Sequence, residues 1–220
     1  ANIDTTSDLL SLSEETRKFV IAVPSHAFRA TVTTLRNTLS EVLDHCQFCW
    51  GTKGLEVETG KLLSDVFDEV IGMPVPRVVL SGPSFAREVA KHLPTALTVA
   101  STKLAEAERT ASWFRDEHTR VYTSVDITGV ELGGAIKNVM AIAVGISDSL
   151  GFGANARAAL MTRGLAEMVR LGVALGGQMN TFMGLTGIGD LVLTCTDDQS
   201  RNRRVGLGIG SGRPLDTVLL

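Results

Sequence analysis

Two lysines stand where a cation could take part in chemistry. Lys53 follows the segment Trp50-Gly-Thr, at the end of a run that predicts a β-strand. At the carboxyl end of a parallel strand, the Lys53 side chain either contacts a ligand in the crevice or lies in solvent. Lys137 has small or apolar neighbours at helical spacing, so it is either a lysine whose stem packs on a helix surface or a buried amine. Burial would lower the pKa of this amine toward the range in which a lysine exchanges protons at neutral pH.

Three other segments carry polar groups that suit an anionic or charged ligand. In Ser81-Gly-Pro-Ser84 we expect the proline in the first turn of a helix, where free amides and the Ser84 hydroxyl suit an oxyanion. In Ser200-Arg-Asn202 a guanidinium lies between a hydroxyl and an amide, which suits a phosphate; the alternative is a solvated, capped turn. Asp190 supplies a carboxylate after three closely spaced glycines.

Short apolar strands alternate with amphipathic helices in the first half of the sequence, which predicts an α/β fold with a mostly parallel sheet. The predicted strands are Phe19–Val23, Cys46–Thr52, Arg77–Leu80, Ala96–Ala100 and Arg120–Thr123. The predicted helices between them are His26–Leu43, with Ser25 as its cap, Thr59–Val70, a short helix that ends at Lys91, and Leu104–Asp116.

The pattern changes near Asp126, after which only helical spacing is found. Helices are predicted over Ile127–Leu150 and Ala154–Leu175, with more helix from Gly189 onward. We therefore predict two domains, residues 1–125 and 126–220, the second of them all-α. Because ligands bind outside the carboxyl ends of parallel strands, the strand ends and the first long helix are the elements that must position the two lysines.

Composition excludes several classes of protein. The 220 residues carry a formal net charge of -3, which predicts neither a nucleic-acid partner nor a membrane partner. The most apolar stretch, Val139 to Ile146, is too short to span a bilayer, and the first residues do not resemble a secretory signal, so we expect a cytoplasmic protein. Three cysteines do not form a disulfide framework, and the pair Cys46-Gln-Phe-Cys49 lies in a predicted strand without other ligands, so no metal site is expected.

Several sequence blocks, taken in order, closely resemble the bacterial-type NAD(P)-dependent glycerol-3-phosphate dehydrogenase family. The blocks are Val-Pro-Ser-His26, Thr-Lys-Gly-Leu55, Ser-Gly-Pro-Ser-Phe-Ala86, Gly-Gly-Ala-Ile-Lys-Asn138, Gly-Phe-Gly-Ala-Asn-Ala-Arg157, Thr-Arg-Gly-Leu-Ala-Glu167, Gly-Asp-Leu-Val-Leu-Thr-Cys-Thr196 and Gln-Ser-Arg-Asn-Arg-Arg204. They extend over nearly the whole chain, which makes the resemblance specific.

The resemblance implies a Rossmann-type domain followed by a helical substrate domain, with the active site between them. It implies reversible hydride transfer between NAD(H) or NADP(H) and the pair dihydroxyacetone phosphate and sn-glycerol 3-phosphate, which supplies phospholipid synthesis. It makes Lys137 the catalytic proton donor and acceptor, allows a homodimer and calls for no metal. The residues that it places around the substrate are Lys53, Gly82, Ser84, Lys137, Asp190, Ser200, Arg201 and Asn202, and those around the cofactor are Lys53, Ala86 and Arg201.

The sequence departs from the family at its two ends. The family's Gly-rich dinucleotide loop and first βαβ unit should precede Ala1, and a later helical segment should follow Leu220. We therefore expect a fragment with a truncated Rossmann-type sheet that, alone, binds the cofactor poorly and is poorly active. Two alternatives stay open, namely a related reductase of keto or hydroxy acids and a truncated, non-catalytic protein that binds a phosphorylated metabolite.

Overall fold

A five-stranded sheet forms the first half of the computed structural model, which describes residues 5–9 and 16–219. The strands lie side by side in sequence order. They are β1 (Lys18–Ile21), β2 (Gln47–Trp50), β3 (Arg77–Ser81), β4 (Thr95–Ala100) and β5 (Thr119–Ser124). Each begins or ends within a few residues of its predicted bounds.

Strand direction decides which strand ends can share a site. The pairs β1–β2, β2–β3 and β4–β5 are parallel, whereas β3 and β4 are antiparallel. The prediction of a mostly parallel, Rossmann-like sheet is therefore confirmed. Because the direction reverses after β3, only β1, β2 and β3 have their carboxyl ends at the same edge of the sheet, and the ends of β2 and β3 lead into the segments of Lys53 and of Ser81-Gly-Pro-Ser84 noted in the sequence.

Four helices connect these strands, and most are shorter than predicted. They are α1 (Ser25–Thr38), α2 (Leu63–Ile71), α3 (Ala86–Val89) and α4 (Leu104–Ala111), and a 3₁₀ turn at Leu43–His45 follows α1. The expected cap is wrong, because Ser25 is the first helical residue and Pro24 before it makes no side-chain capping bond. Helix α2 begins four residues late because Glu56 and Thr59 form a turn that their side chains close with a 2.6 Å hydrogen bond.

The second half contains helices alone among its described residues, as predicted. They are α5 (Ile127–Ser149), α6 (Gly153–Ala174), α7 (Met179–Phe182), a π-helical turn (Leu185–Gly189), α8 (Asp190–Thr196), α9 (Arg201–Gly210) and α10 (Leu215–Leu219). Asp126 caps α5, because its carboxylate accepts a hydrogen bond from the amide of Gly129. Helix α5 is central, with α6, α8 and α9 packed on it.

Glycines allow the closest of these helix contacts. A Cβ on Gly145 of α5 would lie 2.4 Å from the carbonyl oxygen of Arg203, and one on Gly206 of α9 would lie 2.1 Å from that of Ile142. Both distances are shorter than any van der Waals contact, so α5 and α9 can cross this closely only without side chains at these positions. The glycine content of the second half therefore reflects backbone packing around α5.

Helix α5 is also long enough and apolar enough to cross a membrane, by length and composition. Its most apolar 18-residue window has a mean hydropathy of 1.4, and 56% of that window is buried inside the protein. The stretch Val139 to Ile146 thus belongs to a 23-residue helix. Within the fold, the neighbouring helices cover a little over half of that window, as is typical of a central packing helix, whereas Val139 stays 67% exposed.

Candidate active site

Lys53 lies where the carboxyl ends of the first three strands meet. The Thr52 hydroxyl donates a 2.8 Å hydrogen bond to the carbonyl oxygen of Val23, which ties the ends of β1 and β2 together. From the next position, the Nζ of Lys53 donates to the carbonyl oxygen of Gly82, just after β3, at 3.2 Å. The sequence left open whether the side chain of Lys53 points into the crevice or lies in solvent. In the structure it points into the crevice between the strand ends.

Gly82 is required where the chain leaves β3. Its φ of +136° lies in a region that L side chains rarely adopt. A Cβ there would also lie 3.1 Å from the carbonyl oxygen of Ala96 and 3.2 Å from the Cα of Leu97 on β4. A larger residue would push the loop away from β4 and move the carbonyl oxygen that Lys53 contacts.

The expected helix start at Pro83 is wrong. Helix α3 begins only at Ala86 and has four residues, with Phe85 before it in an extended conformation. The hydroxyl of Ser84 donates to the carbonyl oxygen of Gly82 at 3.3 Å, so this segment is a tight turn. The positive φ of Gly82 ends the strand in a turn directly before Pro83, so the chain at Pro83 continues as a turn and the helix begins three residues later.

Lys137 is a buried amine on α5. Its side chain is 9% exposed, and its Nζ donates to the Oδ1 of Asp190 at 2.5 Å and to the hydroxyl of Thr194 at 3.0 Å. Gly134, one turn earlier, leaves room for a neighbouring side chain, since a Cβ there would lie 3.4 Å from the Cγ of Lys53. The alternative that the stem of Lys137 merely packs on the helix surface is therefore wrong.

Asp190 joins the two lysines. Its carboxylate is 1% exposed and receives the Nζ of Lys53 on Oδ2 at 2.6 Å, while Oδ1 receives Lys137. Asp190 begins α8 directly after the π-helical turn, and Thr194 follows one helical turn later on the same face. One buried carboxylate is thus shared by two ammonium groups that come from opposite halves of the chain.

Burial decides the protonation behaviour of Lys137. Burial lowers the pKa of Lys137 most, the positive charge of Lys53 also lowers it, and the carboxylate of Asp190 opposes both effects; together they bring the pKa down to about 8. The sequence left the balance between burial and Asp190 open, and here burial prevails, together with the positive charge of Lys53. Both protonation states of Lys137 are then accessible close to neutral pH.

A cavity of about 480 Å³ opens beside Lys137. Of the residues predicted for the site, six line it: Ser84, Ala86, Lys137, Ser200, Arg201 and Asn202. Lys53, Gly82 and Asp190 do not line it; Asp190 bonds directly to Lys137, and Lys53 connects Gly82 to Asp190. The structure therefore brings all the predicted residues together, in two layers.

Six lining residues were not predicted, namely Phe85, Arg87, Asn138, Thr194, Gln199 and Arg204. Helical spacing could have found Thr194, four residues after Asp190, and Asn138 adjoins Lys137. The other four lie in or beside the same motifs as the predicted residues, but only tertiary packing, which brings α3 to the start of α9, shows that they face one cavity. There the amide of Gln199 donates to the carboxylate of Glu88 at 2.8 Å, which joins the two walls of the cavity.

The lining of the cavity suits an anion. It includes the cationic groups of Lys137, Arg87, Arg201 and Arg204, and no carboxylate is among its described residues. Arg204 is held by the carbonyl oxygens of Asp198 and Gln199. Arg87 and Arg201 make no hydrogen bond or ion pair within the part of the chain that the structure describes, which leaves both guanidinium groups available to a ligand.

Helix α9 presents its amino terminus to this cavity. Ser200 caps it by accepting a 3.2 Å hydrogen bond from the amide of Arg203, as the sequence predicted for a helix start. The side chain of Arg203 pairs with Asp148 on α5 at 2.6 Å, and Arg157 on α6 pairs with the same carboxylate at 2.9 Å. This buried cluster holds the first turn of α9, and with it Arg201, in place.

The three cysteines take no part in the site. Cys46, Cys49 and Cys195 are buried and free, and burial raises the pKa of the Cys49 thiol to about 12. Among the described residues, no group of three or more histidine, cysteine, aspartate or glutamate side chains could hold a metal ion. The functional groups that line the cavity are lysine, arginine, amide and hydroxyl groups, beside the apolar side chains of Phe85 and Ala86.

Comparison with known proteins is consistent along the whole chain. Residues 1–107 match the family described as NAD-dependent glycerol-3-phosphate dehydrogenase N-terminus, and residues 126–220 match the corresponding C-terminus. The chain is 56% identical over 218 residues to glycerol-3-phosphate dehydrogenase [NAD(P)+] of Thioalkalivibrio sulfidiphilus, which covers 99% of this chain and 64% of that protein.

Solved structures agree with the sequence matches. A crystal structure of glycerol-3-phosphate dehydrogenase from Coxiella burnetii aligns with a TM-score of 0.91 and 45% identity, over 96% of this chain and 64% of that one. The enzyme from Saccharomyces cerevisiae aligns with a TM-score of 0.82 and 26% identity, over 97% of this chain and 63% of that one. The chain therefore spans a little less than two thirds of the length of these relatives.

Proposed function

The chain belongs to the NAD-dependent glycerol-3-phosphate dehydrogenase family, and from that premise we propose that its protein interconverts dihydroxyacetone phosphate and sn-glycerol 3-phosphate with NAD(H) or NADP(H). The observation that carries this proposal is the buried ammonium of Lys137 at the wall of a cationic cavity, paired with Asp190 and Thr194. Such a reduction would supply glycerophospholipid synthesis. The alternatives of another reductase or of a non-catalytic binding protein are weaker, because no observation in the structure favours either.

Lys137 is the proton donor in the direction of reduction. When bound, the reduced nicotinamide supplies a hydride to the central carbonyl carbon of the substrate. Negative charge then develops on the carbonyl oxygen, and a cation that can also release a proton stabilises that charge and neutralises it. In the opposite direction neutral Lys137 accepts the proton of the hydroxyl group, and its pKa of about 8 makes both forms available.

Asp190, Thr194 and Lys53 hold Lys137 for this transfer. Asp190 and Thr194 accept two of its three N–H donors, so the third remains for the substrate oxygen. Lys53 adds a second positive charge next to Asp190, which limits how far that carboxylate can stabilise the charged form of Lys137. We assign Lys53, Gly82 and Asp190 to the substrate side of the site through these contacts.

The substrate phosphate is assigned to the first turn of α9. Ser200, Arg201 and Asn202 lie there, and Arg201 has a guanidinium without a partner among the described residues. Guanidinium groups and first-turn amides both favour a phosphate. The phosphate group takes no part in the hydride transfer. Its binding at α9 would hold the substrate in an orientation that presents the carbonyl group to Lys137.

We assign part of the cofactor to the α3 side of the same cavity. Ala86 and Arg201 line that side, Arg87 adds a cation beside Ala86, and Lys53 does not line the cavity but bonds to Asp190. These residues suit a ligand with phosphate groups. Since the chain spans 64% of the length of its relative, we expect the 220 residues alone to bind this cofactor weakly and to turn over little.

The proposal includes the location of the protein in the cell. Cysteines that are all free and buried fit a reducing compartment, and we propose the cytoplasm. A homodimer and the absence of nucleic-acid and membrane partners remain predictions from the sequence.

A Lys137→Ala variant tests the proposed reaction. In a version extended to the full length of the relatives, we expect NADH- or NADPH-dependent reduction of dihydroxyacetone phosphate to fall by at least about 10³-fold, because charge stabilisation and proton transfer are both lost. The decrease in absorbance of the reduced nicotinamide measures the rate. The matched control is Lys103→Ala, a 76% exposed side chain outside the site, which should keep wild-type turnover. Wild-type turnover in Lys137→Ala would remove the assignment.

A further inference from the structure

A second buried carboxylate lies between the two halves of the chain, outside the cavity. Glu131 of α5 is 6% exposed, and its Oε1 accepts hydrogen bonds of 3.1 Å from the indole N–H of Trp50 and of 3.1 Å from the amide of Ser64. Its Oε2 is 2.5 Å from the hydroxyl of Ser64. No lysine, arginine or histidine forms an ion pair with it in the described part of the chain.

The three elements that meet at Glu131 include both lysine-bearing segments. Trp50 ends β2 and precedes Lys53 by three residues, and Glu131 precedes Lys137 by six residues on α5. Ser64 lies in the first turn of α2, the helix that follows the Lys53 loop. Glu131 therefore joins the stem of the loop that carries Lys53 to the helix that carries Lys137.

An apolar side chain could not supply the same restraint. The indole and amide donors must lie in the directions of the oxygen lone pairs, whereas apolar contact is not directional. A buried carboxylate without a cation also costs folding free energy, and burial raises the pKa of Glu131 to about 7. A leucine of similar volume would avoid that cost but would leave the indole N–H of Trp50 and the amide and hydroxyl of Ser64 without their acceptor, so it would lose both the bonds and their direction.

We propose that Glu131 is a positioning residue that holds the end of β2 against α5, so that Lys53 and Lys137 keep their places on the two oxygens of Asp190. This inference rests on the proposed function only for the catalytic roles of Lys53 and Lys137. The restraint itself concerns this chain alone and can be measured without substrate.

The pKa of Lys137 is the readout, because it depends on how close Lys53 lies. In Glu131→Leu the end of β2 loses its directional contacts, Lys53 moves away from Lys137, and we expect the pKa of Lys137 to rise by about one unit. Glu131→Gln should restore the wild-type value, since its oxygen can accept from Trp50 and its amide can donate to the Ser64 hydroxyl. The experiment measures the rate of Lys137 acylation against pH by mass spectrometry, on the 220-residue chain.

Glu106→Leu is the matched control. Glu106 is likewise a buried glutamate on a helix, 7% exposed, and accepts a 2.8 Å hydrogen bond from the hydroxyl of Ser101. It lies on α4, away from the cavity lining. This variant should lose stability in thermal unfolding while the pKa of Lys137 stays at its wild-type value.

Two results would overturn the proposal. One is a folded Glu131→Leu with an unchanged pKa of Lys137, and the other is the same shift in Glu106→Leu. If Glu131→Leu does not fold, Ser64→Ala decides, because it removes the hydroxyl contact to Oε2 and leaves the amide and indole contacts; we expect a smaller rise there, and no rise refutes the restraint.

Turnover separates this inference from the reaction. In the full-length version, Glu131→Leu should lower kcat about tenfold with a smaller change in the KM for dihydroxyacetone phosphate, and Glu131→Gln should recover kcat. If Lys137→Ala kept wild-type turnover, the proposed function would fail. The acylation of Lys137 in the Glu131 variants would still test the positioning role of Glu131 independently.

Discussion

Asp190 and Glu131 are two buried carboxylates at the junction of the halves, and their surroundings differ. Asp190 has two ammonium groups and a hydroxyl around it, and one of the ammonium groups, that of Lys137, lines the cavity. Glu131 has an indole, an amide and a hydroxyl, all neutral, and lies away from the cavity lining. Removing the first charge would leave two cations in a buried place, whereas removing the second leaves only neutral donors. The partners, more than the burial, therefore decide what each carboxylate contributes.

Among changes to the two carboxylates and their partners, the largest effect is expected for Asp190→Asn. The two lysines lose the carboxylate that both of them contact, so the pKa of Lys137 should fall further below its value of about 8. We expect kcat in the full-length version to fall by about 10²- to 10³-fold, because the proton donor loses its charge and its anchor. The acylation rate of Lys137 against pH, measured beside steady-state turnover, checks both. A pKa of Lys137 that stays or rises would mean that Asp190 is not its main counter-charge.

Glu131→Gln should produce an effect of intermediate size, which is a change in the free energy of unfolding. The folded pKa of Glu131, about 7, lies above its ordinary value of 4.5. Stability from this group is therefore fully present below about pH 4.5 and is lost as the pH rises through about 7. Since glutamine does not ionise, the variant should gain on the wild type across this window by up to about 3 kcal/mol in the free energy of unfolding. Urea unfolding at pH 4.5 and pH 8 measures the gain.

The contrast between the two carboxylates is contradicted if the difference in the free energy of unfolding between Glu131→Gln and the wild type is the same at pH 4.5 and at pH 8. Glu106→Gln is the matched control for this experiment, because Glu106 is buried on another helix and has Lys103 as a charged neighbour at 3.4 Å.

Thr194→Val should have the smallest effect. It removes one hydrogen-bond acceptor from the Nζ of Lys137 and keeps the shape of the side chain. We expect a loss of about 1 kcal/mol in the free energy of unfolding and a further small decrease in the pKa of Lys137. Thr196→Val is the control, because that hydroxyl donates to a carbonyl oxygen of the same helix on its exposed side. Equal pKa values of Lys137 in the two variants would show that Asp190 alone holds the amine.

Local patterns predicted the fold closely, and their errors lie at element ends. The alternation of strands and helices up to Asp126, and the helices after it, follow from hydrophobic period, which is a property of neighbouring residues. The late start of α2 and the turn at Pro83 were missed because side-chain bonds and a positive φ at Gly82 decide them. Strand direction was also beyond local patterns, since the reversal at β4 depends on how the strands pair.

For the site, residue type determined more than position. The sequence by itself established the candidates, because lysine, arginine and aspartate in an otherwise apolar or glycine-rich setting have few roles, and because the family motifs contain them. Only the tertiary structure decided that Lys53 and Lys137, 84 positions apart, share Asp190, and that burial prevails over that charge in setting the pKa of Lys137. The reason is physical: pKa values and cavities depend on distances through space and on the exclusion of water, and neither is a property of neighbouring residues in the chain.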